Sequence, residues 1–106
     1  MKRMPSASQA AIYSATLSYL KAIEAAGTDD ANAVMDKLRS MTIDDAVIRN
    51  GHLRADGALV HDLLLLQVKK PAESKGDWDF YKVKAVLKGD DVFPKPSSAC
   101  PLNAKG

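Results

Sequence analysis

The sequence predicts an α/β fold with its helices and strands segregated along the chain, as in α+β proteins. Two N-terminal helices pack on a small sheet, and a β-hairpin follows toward the C-terminus. Three observations predict it. Apolar residues recur at helical spacing as far as Leu38, alternate at strand spacing from Leu59 onward, and are separated by a region crowded with Gly-containing turn signals. The 106 residues suffice for one small domain with one core, but not for two lobes around a cleft.

The first helix is placed at residues 6–26. Pro5 and Ser6 suit a helix start, with Ser6 or Ser8 able to cap free backbone N–H groups. Ile12, Tyr13, Leu17, Leu20 and Ile23 form the apolar stripe among helix-favouring alanines, and Lys21 and Glu24 mark the wet side. Gly27 ends the helix by supplying a left-handed conformation. Thr28 starts a second helix, placed at residues 29–40, with Asp29 and Asp30 in the first turn and Lys37 and Arg39 in the last. Its stripe is Ala31, Val34, Leu38 and Met41, and the short joint predicts two neighbouring helices packed at an angle.

Past Met41 the pattern becomes irregular through Ile43, Ala46 and Ile48. Asn50-Gly51 and Asp56-Gly57 are turn signals, with His52-Leu53-Arg54 between them as a short bridging strand. A strand is placed at about residues 59–69. Leu64, Leu66 and Val68 lie on one face of it and Leu63, Leu65 and Gln67 on the other, which predicts cover on both sides. Pro71 to Gly76 is a polar loop. The second strand, about residues 78–87, alternates Tyr81, Val83, Ala85 and Leu87 against Phe80, Lys82, Lys84 and Val86, as a half-buried strand does. Residues 1–90 then make up the folded part, and residues 91–106 an extended Pro/Ser-rich tail carrying the exposed Cys100.

Composition excludes more than it assigns. An apolar fraction of 46% and a charged fraction of 26% are ordinary for a soluble globular protein. A net charge of +2 is too small to imply nucleic acid. The start Met1-Lys2-Arg3-Met4 is charged, but Pro5-Ser6-Ala7-Ser8-Gln9 is no apolar core for a signal peptide, so none is expected. The run Leu63–Leu66 is far too short to span a bilayer.

No constellation for catalysis or metal binding emerges. His52 and His61 lack the local spacing and the third ligand of a transition-metal site, and read as histidines at a sheet margin. Cys100 with His61 could be drawn as a nucleophile and base, but a tail thiol lacks the fixed geometry. Asp29-Asp30 reads as helix-dipole complement and Asp44-Asp45 as a solvated turn. Asp56-Gly57 lacks the further carboxylates of a calcium loop. Trp78, Phe80 and Tyr81 with Lys82 and Lys84 form an aromatic-basic cluster, and a strand with one lysine face accounts for it better than a base-stacking sheet. No metal, no cofactor and no enzymatic activity are expected. The start of the first helix is the one candidate for ligand contact. Free N–H groups beside Ser6, Ser8 and Gln9 would suit an α-amino-acid ligand, against the ordinary reading of a capped helix.

Several ordered segments carry a family resemblance. They are Met4-Pro5-Ser6, Gln9 to Ala15, Tyr19 to Asp30, Ile48 to Gly57, Val60-His61-Asp62, Gln67 to Lys75 and Trp78 to Lys82. Gly89 to Phe93 and Ser97 to Leu102 fit as well. The chain resembles the C-terminal part of type I periplasmic solute-binding proteins, the Leu/Ile/Val-binding receptors of ABC importers. That resemblance implies two α/β lobes joined by a hinge, closing over an amino acid or similar small solute and delivering it to an ABC permease. Residues 1–90 would be part of the C-terminal lobe. A family ligand contact falls at Ser8, where the family has a larger apolar or aromatic side chain, and Gln9 is its neighbour. The resemblance implies a periplasmic location, and the chain as given would be cytoplasmic. Alone it is expected to bind free amino acids weakly or not at all. The alternative is a stand-alone interaction module that forms a homodimer through exposed strand edges.

Overall fold

The computed structural model describes residues 3–97 and Ala99. The expectations for Cys100 and the segment after it therefore lie outside the described residues. In chain order the elements are α1 (Ala7–Ala26), α2 (Ala31–Ser40), β1 (His52–Leu53), β2 (Leu59–Val60), β3 (Leu63–Val68), β4 (Tyr81–Leu87) and a single helical turn, α3 (Gly89–Val92). A short 3-10 turn at Pro71–Glu73 lies in the β3–β4 connection. The α/β fold expected from sequence is present, as two helices followed by small antiparallel sheets.

Local chemistry sets the helix ends. Ser6 is the N-cap of α1, and Gln9 closes a capping box with it. Gly27 ends α1 at φ 68, and its N–H returns to the Ile23 carbonyl. Helix α2 begins later than expected, at Ala31. Asp30 is its cap, not a first-turn residue, because its carboxylate accepts from the N–H groups of Asn32 and Ala33. Thr28 precedes the helix, its hydroxyl accepting from the Asp30 N–H.

The packed face of α1 differs from the expected stripe. Ser14, Ser18 and Ala22 are its buried residues, whereas Ile12, Tyr13 and Leu20 are exposed. Small side chains let α2 approach α1 closely, and the larger apolar residues turn outward. Val34 of α2, Ile43, Ile48 and Val60 complete the buried apolar set.

Between the helices and the strands, Ile43 and Gly51 form an isolated antiparallel bridge, and Asn50 takes the left-handed φ of 51. Gly51 is required there: a β-carbon would stand 2.5 Å from the Ile48 Cγ2 atom. Strand β1 then pairs antiparallel with β2, His52 opposite Val60. The single strand expected over 59–69 is broken at His61-Asp62. The Asp62 N–H leaves the strand ladder to bond the Arg49 carbonyl, which separates β2 from β3.

Strands β3 and β4 form the expected hairpin, with Leu63 opposite Leu87 and Val68 opposite Tyr81. A register shift falls between Leu65 and Leu66, whose partners are Ala85 and Val83, so Lys84 is the extra residue of a bulge. Strand β4 starts at Tyr81, since Trp78 sits at φ 69 outside the extended region. Every residue of β3 is exposed, so the cover predicted for both of its faces is not supplied by the described residues.

The tail expected to be extended instead docks through Pro94. Gly89 is buried, and a β-carbon on it would lie 2.7 Å from the His61 carbonyl oxygen. Phe93 meets His61 edge-on with ring centroids 5.4 Å apart, and the Arg54 guanidinium holds the Pro94 carbonyl at 2.9 Å.

The chain is open. Its accessible surface is 8372 Å², against about 5,800 Å² for a compact monomer of 11.4 kDa. Its radius of gyration is 17.2 Å, where a compact chain of this length gives about 13 Å.

Candidate functional site

The start of α1 borders an apolar concavity. Pro5, Gln9, Ala10 and Tyr13 form one wall and Ala46 and Val47 the other, around a space of about 490 Å³. The capping box fixes Gln9: its Oε1 accepts from the Ser6 N–H at 2.9 Å, and the Gln9 N–H donates to the Ser6 hydroxyl at 3.3 Å. Of the two residues expected from sequence, Gln9 lines this space. Ser8 is exposed and is not among the lining residues.

The opposite wall is positioned by Asp45. Its carboxylate accepts from the N–H groups of Val47 at 2.7 Å and Ile48 at 2.8 Å, while the Asp45 N–H donates to the Ile48 carbonyl at 2.9 Å. The second carboxylate oxygen accepts the Ser14 hydroxyl at 2.6 Å, which pins this turn to the buried face of α1. Partial burial pushes the Asp45 carboxyl up. The Ser14 hydroxyl and the two N–H groups outweigh it, and with Lys21 nearby the net direction is down.

Sequence reasoning placed Asp44-Asp45 in a solvated turn and so missed Asp45, Ala46 and Val47. An Asp two and three residues before the N–H groups it binds is an Asx-turn signal, and that spacing was readable. The partner Ser14 was not readable, because it comes from a distant helix.

The other candidates resolve into local structure. His52 Nε2 lies 3.7 Å from the Asp90 carboxylate, and His61 Nδ1 is 2.9 Å from the Asp62 carbonyl. Among the described residues no group of three potential metal ligands comes together. Asp62 is held by the Asn50 amide at 2.7 Å and the Gly89 N–H at 3.2 Å, and these two donors lower its pKa. Asp56 chelates the Arg54 guanidinium, which lowers its pKa likewise. In the aromatic cluster Trp78 meets Phe80 and Phe80 meets Tyr81 edge-on, while Lys69 pairs with Asp79 and Lys82 with Glu73. Among the described residues no helix is long and apolar enough to cross a membrane.

Two helices, a minimal strand pair and an uncovered ribbon define part of an α/β lobe that borders an apolar space. The chain belongs to the periplasmic binding protein family, whose model matches residues 1–77. Two solved structures carry the same fold. One, a branched-chain amino acid ABC transporter periplasmic ligand-binding protein from Burkholderia xenovorans LB400, is 47% identical with a TM-score of 0.79. It is matched over 85% of this chain and 24% of its own. The other, a periplasmic binding protein from Burkholderia mallei, is 50% identical with a TM-score of 0.80, matched over 89% of this chain and 25% of its own. The chain thus spans about a quarter of the length of these proteins. No curated protein sequence gives a significant match. The family is one of solute-binding proteins and not of enzymes.

Proposed function

We propose that the chain is the C-terminal part of a periplasmic receptor that captures amino acids or similar small solutes for an ABC permease. Its role is to supply one wall of the solute cleft, without catalysis. The observation that supports this reading best is the likeness to a branched-chain amino acid binding protein at 47% identity, joined to an apolar concavity at the start of α1. Gln9, Tyr13 and Val47 are the residues that would face an apolar solute side chain, with Ser8 at the margin. One wall buries too little of a small ligand to hold it, because ligand sites enclose most of the ligand surface.

The test is a chimera in which this chain replaces the corresponding quarter of the Burkholderia mallei protein. Calorimetry should detect binding by the chimera of whatever solute the parent binds, whereas the isolated chain should give no heat with leucine, isoleucine or valine. A folded chimera that has lost the parent's binding would overturn the reading, as would micromolar leucine binding by the isolated chain.

A second reading has one observation in its favour. The β3–β4 ribbon has two unpaired edges among the described residues, and such edges recruit other strands. A homodimer formed through them would make the chain a stand-alone module, and light scattering over a concentration series separates the two readings.

A further inference from the structure

The apolar space at the start of α1 lies between two walls that the chain connects by way of α2. Gln9 and Tyr13 stand on one wall, Ala46 and Val47 on the other. No charged side chain lines it, and the Gln9 side-chain oxygen is already taken by the Ser6 N–H. A group that enters there is therefore read by size and apolarity, not by charge. Size discrimination in such a space depends on how far apart the walls are held. A gap of about 0.5–1 Å already forfeits a quarter to a half of a dispersion contact.

The second wall is built as a flap. Its base is the Ile43–Gly51 bridge, whose two N–H to carbonyl bonds measure 2.7 and 2.8 Å. Residues 45–48 close on themselves. The Asp45 carboxylate takes the Val47 and Ile48 N–H groups and the Asp45 N–H meets the Ile48 carbonyl, so Ala46 and Val47 move with Asp45. On the side facing α1, the flap is held by the bond from the Ser14 hydroxyl. Ser14 adjoins Tyr13 and Asp45 adjoins Ala46, so this one bond ties the two walls across 31 positions of sequence. Without the hydroxyl, an ionised carboxylate would face a buried methyl group with no donor. It would be drawn toward water, tilting Ala46 and Val47 outward about the buried Ile48.

We infer that Ser14 and Asp45 are positioning residues that set which size of solute side chain the receptor accepts, the entering group being the apolar side chain of an α-amino acid. The inference rests on the family role given above and adds to it the determinant of size selectivity. Neither residue is among those that wall the space beside Gln9, and both act through the distance between Tyr13 and Val47.

The experiment places this chain in the corresponding quarter of the Burkholderia xenovorans protein and titrates the whole receptor calorimetrically with valine, leucine and phenylalanine. Ser14→Ala should raise the affinity for phenylalanine relative to valine by about fivefold, less than the roughly 10–200-fold that one methylene is worth in an apolar pocket. Asp45→Asn should leave that ratio unchanged. Its amide oxygen can keep the two backbone N–H groups while its NH2 group donates to the Ser14 oxygen. Ser18→Ala removes another buried hydroxyl from the same helix face and should also leave the ratio unchanged. Loss of folded protein lowers all three apparent affinities together, so their ratio reports the wall spacing and not stability. A ratio unmoved by Ser14→Ala would overturn the inference, and so would an equal shift from Ser18→Ala. If the unsubstituted chimera binds none of the three solutes, the family role falls and this inference with it. If it binds them and Ser14→Ala changes nothing, the inference alone falls.

Discussion

The hydroxyl of Ser14 donates to the carboxylate of Asp45 at 2.6 Å, joining the middle of α1 to the turn that follows α2. Ser14 is buried, so the bond forms where water does not compete freely. It fixes the distance between α1 and the Ala46-Val47 wall, and hence the width of the apolar space beside Gln9.

Asp45→Ala removes the acceptor for Ser14 and for two backbone N–H groups together. The expected loss is about 2–3 kcal/mol, from an unsatisfied buried hydroxyl and a broken turn. Ser14→Ala leaves Asp45 its two backbone bonds and should cost about 0.5–1.5 kcal/mol. Urea melts of both variants check the order, and equal losses would show that the turn does not depend on the carboxylate.

Stability should fall in acid. Asp45, Asp56, Asp62, Glu73 and Asp79 are all held below their ordinary values in the folded chain. For Asp79 the Lys69 ammonium is the largest cause and the Lys75 N–H the next. A carboxyl lowered by folding binds its proton more readily in the unfolded state. The stability it adds is therefore present above its ordinary value, 3.8 for these aspartates, and is lost as pH falls through the lower folded value. Thermal melts followed by circular dichroism should give a falling midpoint between about pH 5 and pH 2. A midpoint constant over that range would contradict it.

The glycines at 27 and 89 should respond differently to alanine. Gly27→Ala meets no neighbouring atom and loses only the ease of a left-handed φ, about 1 kcal/mol. Gly89→Ala drives a β-carbon against the His61 backbone at 2.7 Å, which no rotamer relieves. The cost there should exceed that at Gly27 by at least about 1 kcal/mol, within the range for overpacking. Chemical denaturation of the two variants, side by side, gives the comparison.

Ser6→Ala opens the capping box at the head of α1. About 1 kcal/mol should be lost, and Gln9 is released to reorient over the apolar space. In the chimera this variant should weaken solute binding more than Ser8→Ala does, since Ser8 does not line that space. The reverse order in calorimetry would move the candidate contact from Gln9 to Ser8.

What could be read from sequence was the local chemistry. Ser6 as a cap, Gly27 and Asn50-Gly51 each act within a few residues, and each formed as expected. The buried face that the alternation of β4 predicts did not form, since Tyr81, Val83 and Leu87 are exposed. The packed face of α1 could not be read that way. Its larger side chains Ile12, Tyr13 and Leu20 define the stronger stripe, but which stripe meets α2 depends on how closely two backbones approach. The small residues Ser14, Ser18 and Ala22 decide that. The break at Asp62, the contact of the Phe93 ring with His61 and the bond from Arg54 to the Pro94 carbonyl are set by tertiary contacts with no local signature. Within the candidate site, Gln9 was named because it belongs to a helix start. Asp45 and Val47 escaped because the partner of Asp45, Ser14, lies 31 residues away in sequence.

The two-faced ribbon also bears on how long the chain survives in a cell. A strand pair with leucines on both sides and, among the described residues, two unpaired edges is the kind of surface that chaperones and proteases sample and that stacks into aggregates as concentration rises. Its lifetime is then governed by how much of it is bound at any moment, since ligation withdraws the vulnerable form by mass action. Whatever packs on Leu64 and Val86 therefore protects the ribbon as well as covering it.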